Sequence, residues 1–152
     1  MIVTAKSIVD MLSDVDYMSK QRAGGCTPNL YAFNKDLGVF DFVTVCATSR
    51  NGWGQRIQFV NWYIEVPPEE EPLAGDPTSS WHQIKSLNPS ILSEDVRVEC
   101  DCPAFIWWGH HFNLDQEDAT FFHQPFPPDH NDPLRERKSC KHLIAVYNFL
   151  FG

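Results

Sequence analysis

Four side chains in the last third of the chain carry the clearest chemistry: Cys100 and Cys102 as C-x-C, then Cys140 and His142 as C-x-H. Three thiols and an imidazole are the donors that a structural zinc ion takes in a tetrahedron, with Zn–S near 2.3 Å. Two thiolates on one such ion stand about 3.8 Å apart. Side chains at i and i+2 of a strand share a face but start further apart than that. The backbone must therefore curl after Cys100, and Pro103 stops the ladder there. Two residues apart on an α-helix differ by about 200° around the axis. Cys140 and His142 can then meet one ion only if Cys140 sits at the helix cap or first turn and His142 lies within it, with Ser139 or Cys140 as N-cap. The helix N-terminus also favours a charged thiolate. Zinc held by these four residues would pin the last helix to the last strand. The competing reading is three cysteines and a histidine in a metal-free core, since free Cys is commonly buried.

The elements that must position these residues follow from periodicity. Ala5, Ile8, Met11, Leu12, Val15 and Met18 form one stripe at helical spacing. This predicts an N-terminal helix ended by Gly24-Gly25, with Thr27-Pro28 opening a short second one. Val39 to Thr48 and Ile57 to Val66, joined through Asn51-Gly52, read as a hairpin. Both strands are apolar on both faces, so at least one belongs mid-sheet or under another layer. Residues 67–80, rich in proline and glutamate, read as a solvated acidic loop, and Ser80 to Leu87 as a short helix. Val96, Val98, Cys100 and Cys102 alternate with Arg97, Glu99 and Asp101, a strand whose inner face ends in two thiols. Residues 109–137 read as a long loop, and Leu143, Val146, Tyr147, Leu150 and Phe151 line one face of a closing helix. The expected fold class is α+β: one domain over residues 1–152, a small antiparallel sheet with N- and C-terminal helices, its C-terminal half clamped by zinc.

Composition narrows the function. A chain of 152 residues with 43% hydrophobic and 13% aromatic side chains has the means to build a core and is too apolar to be disordered. The net charge of −8 and pI near 5.1 argue against general electrostatic binding of nucleic acid, which needs excess Lys and Arg. Arg135, Arg137, Lys138 and Lys141 form the one basic cluster, read as a solvated loop end, with a phosphate run or an acidic partner as the alternative. No apolar run reaches membrane-spanning length, and neither signal peptide nor anchor is expected. Five cysteines without a leader fit a reducing compartment better than a disulfide framework.

The runs Val98-Glu99-Cys100-Asp101-Cys102-Pro103-Ala104-Phe105 and Ser139-Cys140-Lys141-His142-Leu143-Ile144-Ala145-Val146 resemble the SWIM-type zinc finger, whose pattern is C-x-C, a variable insert, then C-x-H. The resemblance covers residues 96–150. It implies Cys100, Cys102, Cys140 and His142 as ligands, a hairpin packed on a helix, and interaction with protein or DNA. The insert, residues 103–138, is longer than is usual in that family. The layout of a hairpin, then V-x-V-x-C-x-C-P-x-F, then an aromatic proline-containing loop, then C-K-H-L is also similar to that of short phage-encoded virion or assembly proteins.

Other candidates weigh less. His110, His111, His123 and His130 offer no ligand spacing on a defined element and read as loop surface. Phe105, Trp107, Trp108, Phe112, Phe121, Phe122 and Phe126 either cover the zinc site or form a partner surface, with Trp107, Trp108 and Phe112 the expected anchors. No hydrolase, P-loop or deaminase motif is present, and a Cys26 nucleophile has nothing specific to support it. The expectation is a non-enzymatic Zn2+-binding structural or interaction protein, a virion or assembly component with other protein chains as partners, located in the virion or host cytoplasm and not secreted. The alternative is a nucleic-acid-binding SWIM module in replication, transcription or recombination.

Overall fold

Alternation of inward and outward residues builds a five-stranded antiparallel sheet: β1 (Lys6–Ser7), β2 (Cys26–Asn34), β3 (Val39–Cys46), β4 (Gly52–Phe59) and β5 (Asp95–Cys100), in the order β1-β5-β4-β3-β2. In this computed structural model the described residues are 6–13, 15, 17–47, 51–69, 73, 75–103, 105, 120–121 and 139–152. Phe40, Phe42, Ile57, Phe59, Val96 and Val98 point to one face and are fully or almost fully buried. The opposite face carries polar cross-strand pairs such as Arg56 with Asp41, 2.7 Å apart in register. The helices α1 (Ile8–Ser13), α2 (Tyr17–Ala23), α3 (Pro77–Leu87) and α4 (Lys141–Phe151) complete the α+β architecture.

Both hairpin strands are interior to the sheet, as their two apolar faces require. The second strand, however, runs from Gly52 to Phe59 instead of Ile57 to Val66. Pairing of Thr44 with Trp53 and Val45 with Gly52 shortens the turn and draws the glycines into the ladder. Thr27-Pro28 opens no helix: it lies in β2, an edge strand, where a proline sacrifices no inner ladder bond. The first helix is two. Ser7 and Asp10 bond each other's backbone N–H groups as a capping box, so helix begins at Ile8 while Lys6 and Ser7 pair with β5. The acidic connection also ends earlier than expected, because Asp76 caps α3 by accepting from the Ser79 N–H and hydroxyl, both at 2.9 Å.

The core is aromatic and shared by sheet and helices. Trp81 of α3 is fully buried, edge-on to Phe40 at 5.3 Å and stacked on Phe59 at 5.9 Å. Its indole N–H and the Lys85 ammonium donate to the Leu150 carbonyl, each at 3.2 Å, which holds the last turn of α4. Helix α4 is buried around most of its circumference, from His142 to Tyr147 and at Leu150, and packs on α1, α2 and strands β2 to β5. Phe151 departs from the expected stripe and is 53% exposed. Periodicity sets a direction but not how far the covering layer extends. At the β2–β3 turn, Gly38 takes a φ of 67°, and a Cβ there would lie 2.4 Å from the Trp62 ring, so no other residue fits.

The cysteines divide in two groups. Cys26 and Cys46, directly paired across β2 and β3, form a disulfide, which corrects the expectation of reduced cysteines throughout. Cys100, Cys102 and Cys140 are free and buried.

Candidate metal centre

Strand β5 delivers Cys100 at its inner face and then stops. Asp101 turns the chain: its N–H donates to the Gly54 carbonyl at 3.1 Å, and its carboxylate accepts from the Gly54 N–H at 2.7 Å. That turn brings Cys102 back beside Cys100, as the close approach of two thiolates demands. The Phe105 backbone N–H then donates to Cys102 Sγ at 3.3 Å. From the other side, Cys140 is the N-cap of α4 and His142 lies in its first turn, the placement expected from helical geometry. The Ser139 and Tyr147 hydroxyls, 3.2 Å apart, tie the entering chain to the helix.

The four ligand atoms all lie within 4.8 Å of one another, with Cys100 Sγ 3.9 Å from His142 Nδ1. Exposure is 0% for Cys100, 2% for Cys102, 3% for Cys140 and 4% for His142. The spacing and the donor set fit one tetrahedral ion.

Charge makes the same point. The hydrogen bond from Cys100, followed by contacts from Cys140 and His142, holds the Cys102 thiol well below its ordinary range. That same bond, with burial behind it, pushes Cys100 up to about 12. Burial, then its two neighbours, raises Cys140 well above the usual thiol value. Together these shifts oppose ionisation of all three thiols in one buried cluster. A dication would supply the charge that allows all three to ionise.

Comparison with protein-family models, with curated proteins and with solved structures gives no match. The site therefore stands on its geometry. The structure brings together Cys100, Cys102, Cys140 and His142; Trp107, Trp108 and Phe112 lie outside the described residues, as do the loop histidines and the basic residues Arg135, Arg137 and Lys138. Of the aromatic set, Phe105 is fully buried in the core and Phe121 is half-buried, its ring centroid 6.0 Å from the Arg56 guanidinium.

Sequence reasoning missed the polar residues behind the thiols. Gln55 is 3% exposed and its amide nitrogen lies 3.5 Å from Cys100 Sγ. The signal was available: Trp53, Gln55, Ile57 and Phe59 alternate as one inward face. A strand taken to begin at Ile57 leaves Gln55 in the turn.

Proposed function

We propose that the protein is a non-enzymatic zinc-binding structural or interaction protein, in which one ion on Cys100, Cys102, Cys140 and His142 fastens α4 to the end of β5. The observation that carries the reading is closure. Four soft or borderline donors converge and none is more than 4% exposed, whereas a catalytic zinc keeps one position open for water or substrate. The C-x-C and C-x-H spacing supports a SWIM-type module. The layout shared with short phage proteins supports a place in a virion or its assembly, with other protein chains as partners. The net charge of −8 favours protein over nucleic acid.

Native mass spectrometry tests the metal reading: one zinc per chain in the wild type and none in Cys140→Ser, whose melting temperature falls by about 10 °C or more. A metal-free wild type of equal stability would refute it. Mass spectrometry of purified particles from the source tests the assembly role. A submicromolar complex with duplex DNA at physiological salt would replace the protein-interaction reading.

A further inference from the structure

We propose that Gln55 is a positioning residue for the metal centre: its side-chain amide, oriented by Thr44 and the Trp53 carbonyl, donates to the Cys100 sulfur and sets the affinity and reactivity of the bound thiolates. This inference rests on the metal reading above.

The geometry spans three adjacent strands. In the β4–β5 register Gln55 stands directly opposite Cys100, and in β3–β4 it neighbours Thr44, which pairs with Trp53. Thr44 is fully buried. Its hydroxyl donates to Gln55 Oε1 at 2.5 Å. Gln55 Nε2 donates to the Trp53 carbonyl and, at 3.5 Å, to Cys100 Sγ. The orientation of the amide is not a free choice. The Trp53 carbonyl only accepts, so the atom facing it must be the nitrogen. The second N–H of that nitrogen is then the one aimed at sulfur, and the oxygen is left for the Thr44 hydroxyl.

Chemistry gives this arrangement a purpose. Zinc with three thiolates and a neutral imidazole would carry one net negative charge, here among residues no more than 4% exposed. Among the described residues, N–H groups point at the ligand sulfurs from three places: Gln55 Nε2 and the Cys102 amide at Cys100, and the Phe105 amide at Cys102. Each stabilises the charged, metal-bound thiolate over the protonated thiol, and each draws electron density from sulfur. Gln55 should therefore tighten metal binding and lower thiolate nucleophilicity. Outer-shell partners of this kind typically contribute 10–100-fold in metal affinity.

Two variants separate this role from simple core filling. Gln55→Met keeps the volume and removes the donor. Gln55→Glu keeps the shape, replaces the donor by an acceptor and sets a second charge against the thiolate. Zinc competition titrations of the full chain should show affinity weakened about tenfold in Gln55→Met and about a hundredfold in Gln55→Glu. With cobalt in place of zinc, the sulfur-to-metal charge-transfer band of Gln55→Met should move to longer wavelength. Iodoacetamide should alkylate the zinc-loaded variant faster than the wild type. Packing alone would not move the band or the alkylation rate. If neither Gln55 variant folds, Thr44→Val, which frees the amide oxygen, carries the test through smaller shifts in the same directions. Wild-type affinity, spectrum and alkylation rate in a folded variant would overturn the role of Gln55 alone. A wild-type protein that takes up no zinc would overturn the metal reading and this inference together.

Discussion

At the scale of single residues, the cluster stores protons that metal must displace. Hydrogen bonding and burial push the Cys100 and Cys140 thiols up and hydrogen bonding pulls Cys102 down. Binding one dication to three thiolates should therefore release the protons of Cys100 and Cys140. The sign follows: acid opposes binding and base favours it, with apparent affinity rising about a hundredfold per pH unit around neutrality. Calorimetric titration in buffers of different ionisation enthalpy measures the release directly, and a value near zero would mean that the thiols are already ionised. The four residues that cluster could be read from their spacing. Alternation with Ile57 and Phe59 could place Gln55 on the inward face, but only the register shows that it meets Cys100 and that Thr44 stands behind it.

At the scale of elements, the disulfide joins the edge strand β2 to its neighbour and closes a loop of sequence separation 20. Replacing both residues by serine should lower stability by about 3 kcal/mol through the freed unfolded chain, roughly 6–12 °C in melting temperature. Zinc content should be unchanged, because the two cysteine groups share no residue. Thermal melts with and without reductant, followed by metal analysis, check both parts. Element types near the site were legible: β5 alternates with period two into the first thiol, and α4 begins at its cysteine cap. The N-terminal helix starts later than the stripe from Ala5 suggests, because the Ser7–Asp10 capping box and the pairing of Lys6 with Val96 outweigh helical spacing. Thr27-Pro28 was misread because a proline at a helix start and one on a sheet edge look alike in sequence.

At the scale of the whole molecule, α4 is held at both ends, by the Cys and His cluster at its start and by Trp81 and Lys85 at its finish. Phe105, at the start of the aromatic run, belongs to the core between them. On the reading proposed above, partner contact through Trp107, Trp108 and Phe112 is separable from folding. The double variant Trp108→Ser with Phe112→Ser should keep one zinc per chain and the wild-type melting temperature, yet lose incorporation into particles. Loss of zinc and of fold in that variant would make these aromatics core cover instead. The sequence could raise this alternative but not decide it, since aromatic content marks interfaces and cores equally.

The order of synthesis sorts the five thiols. Cys26 and Cys46 belong to neighbouring strands joined by a short turn, and such a hairpin closes within about 10 µs. At about 5–20 residues per second, the ribosome reaches Cys100 roughly 3–11 s after Cys46. The two disulfide partners thus lie side by side long before any other thiol exists to compete. Cys100 follows at the end of a strand whose partner β4 is already made, with Cys102 just beyond it, and the two wait roughly another 2–8 s for Cys140 and His142. Oxidation is offered the right pair first, and on the proposed reading a metal ion would meet its last two ligands only after every strand of the sheet has been made.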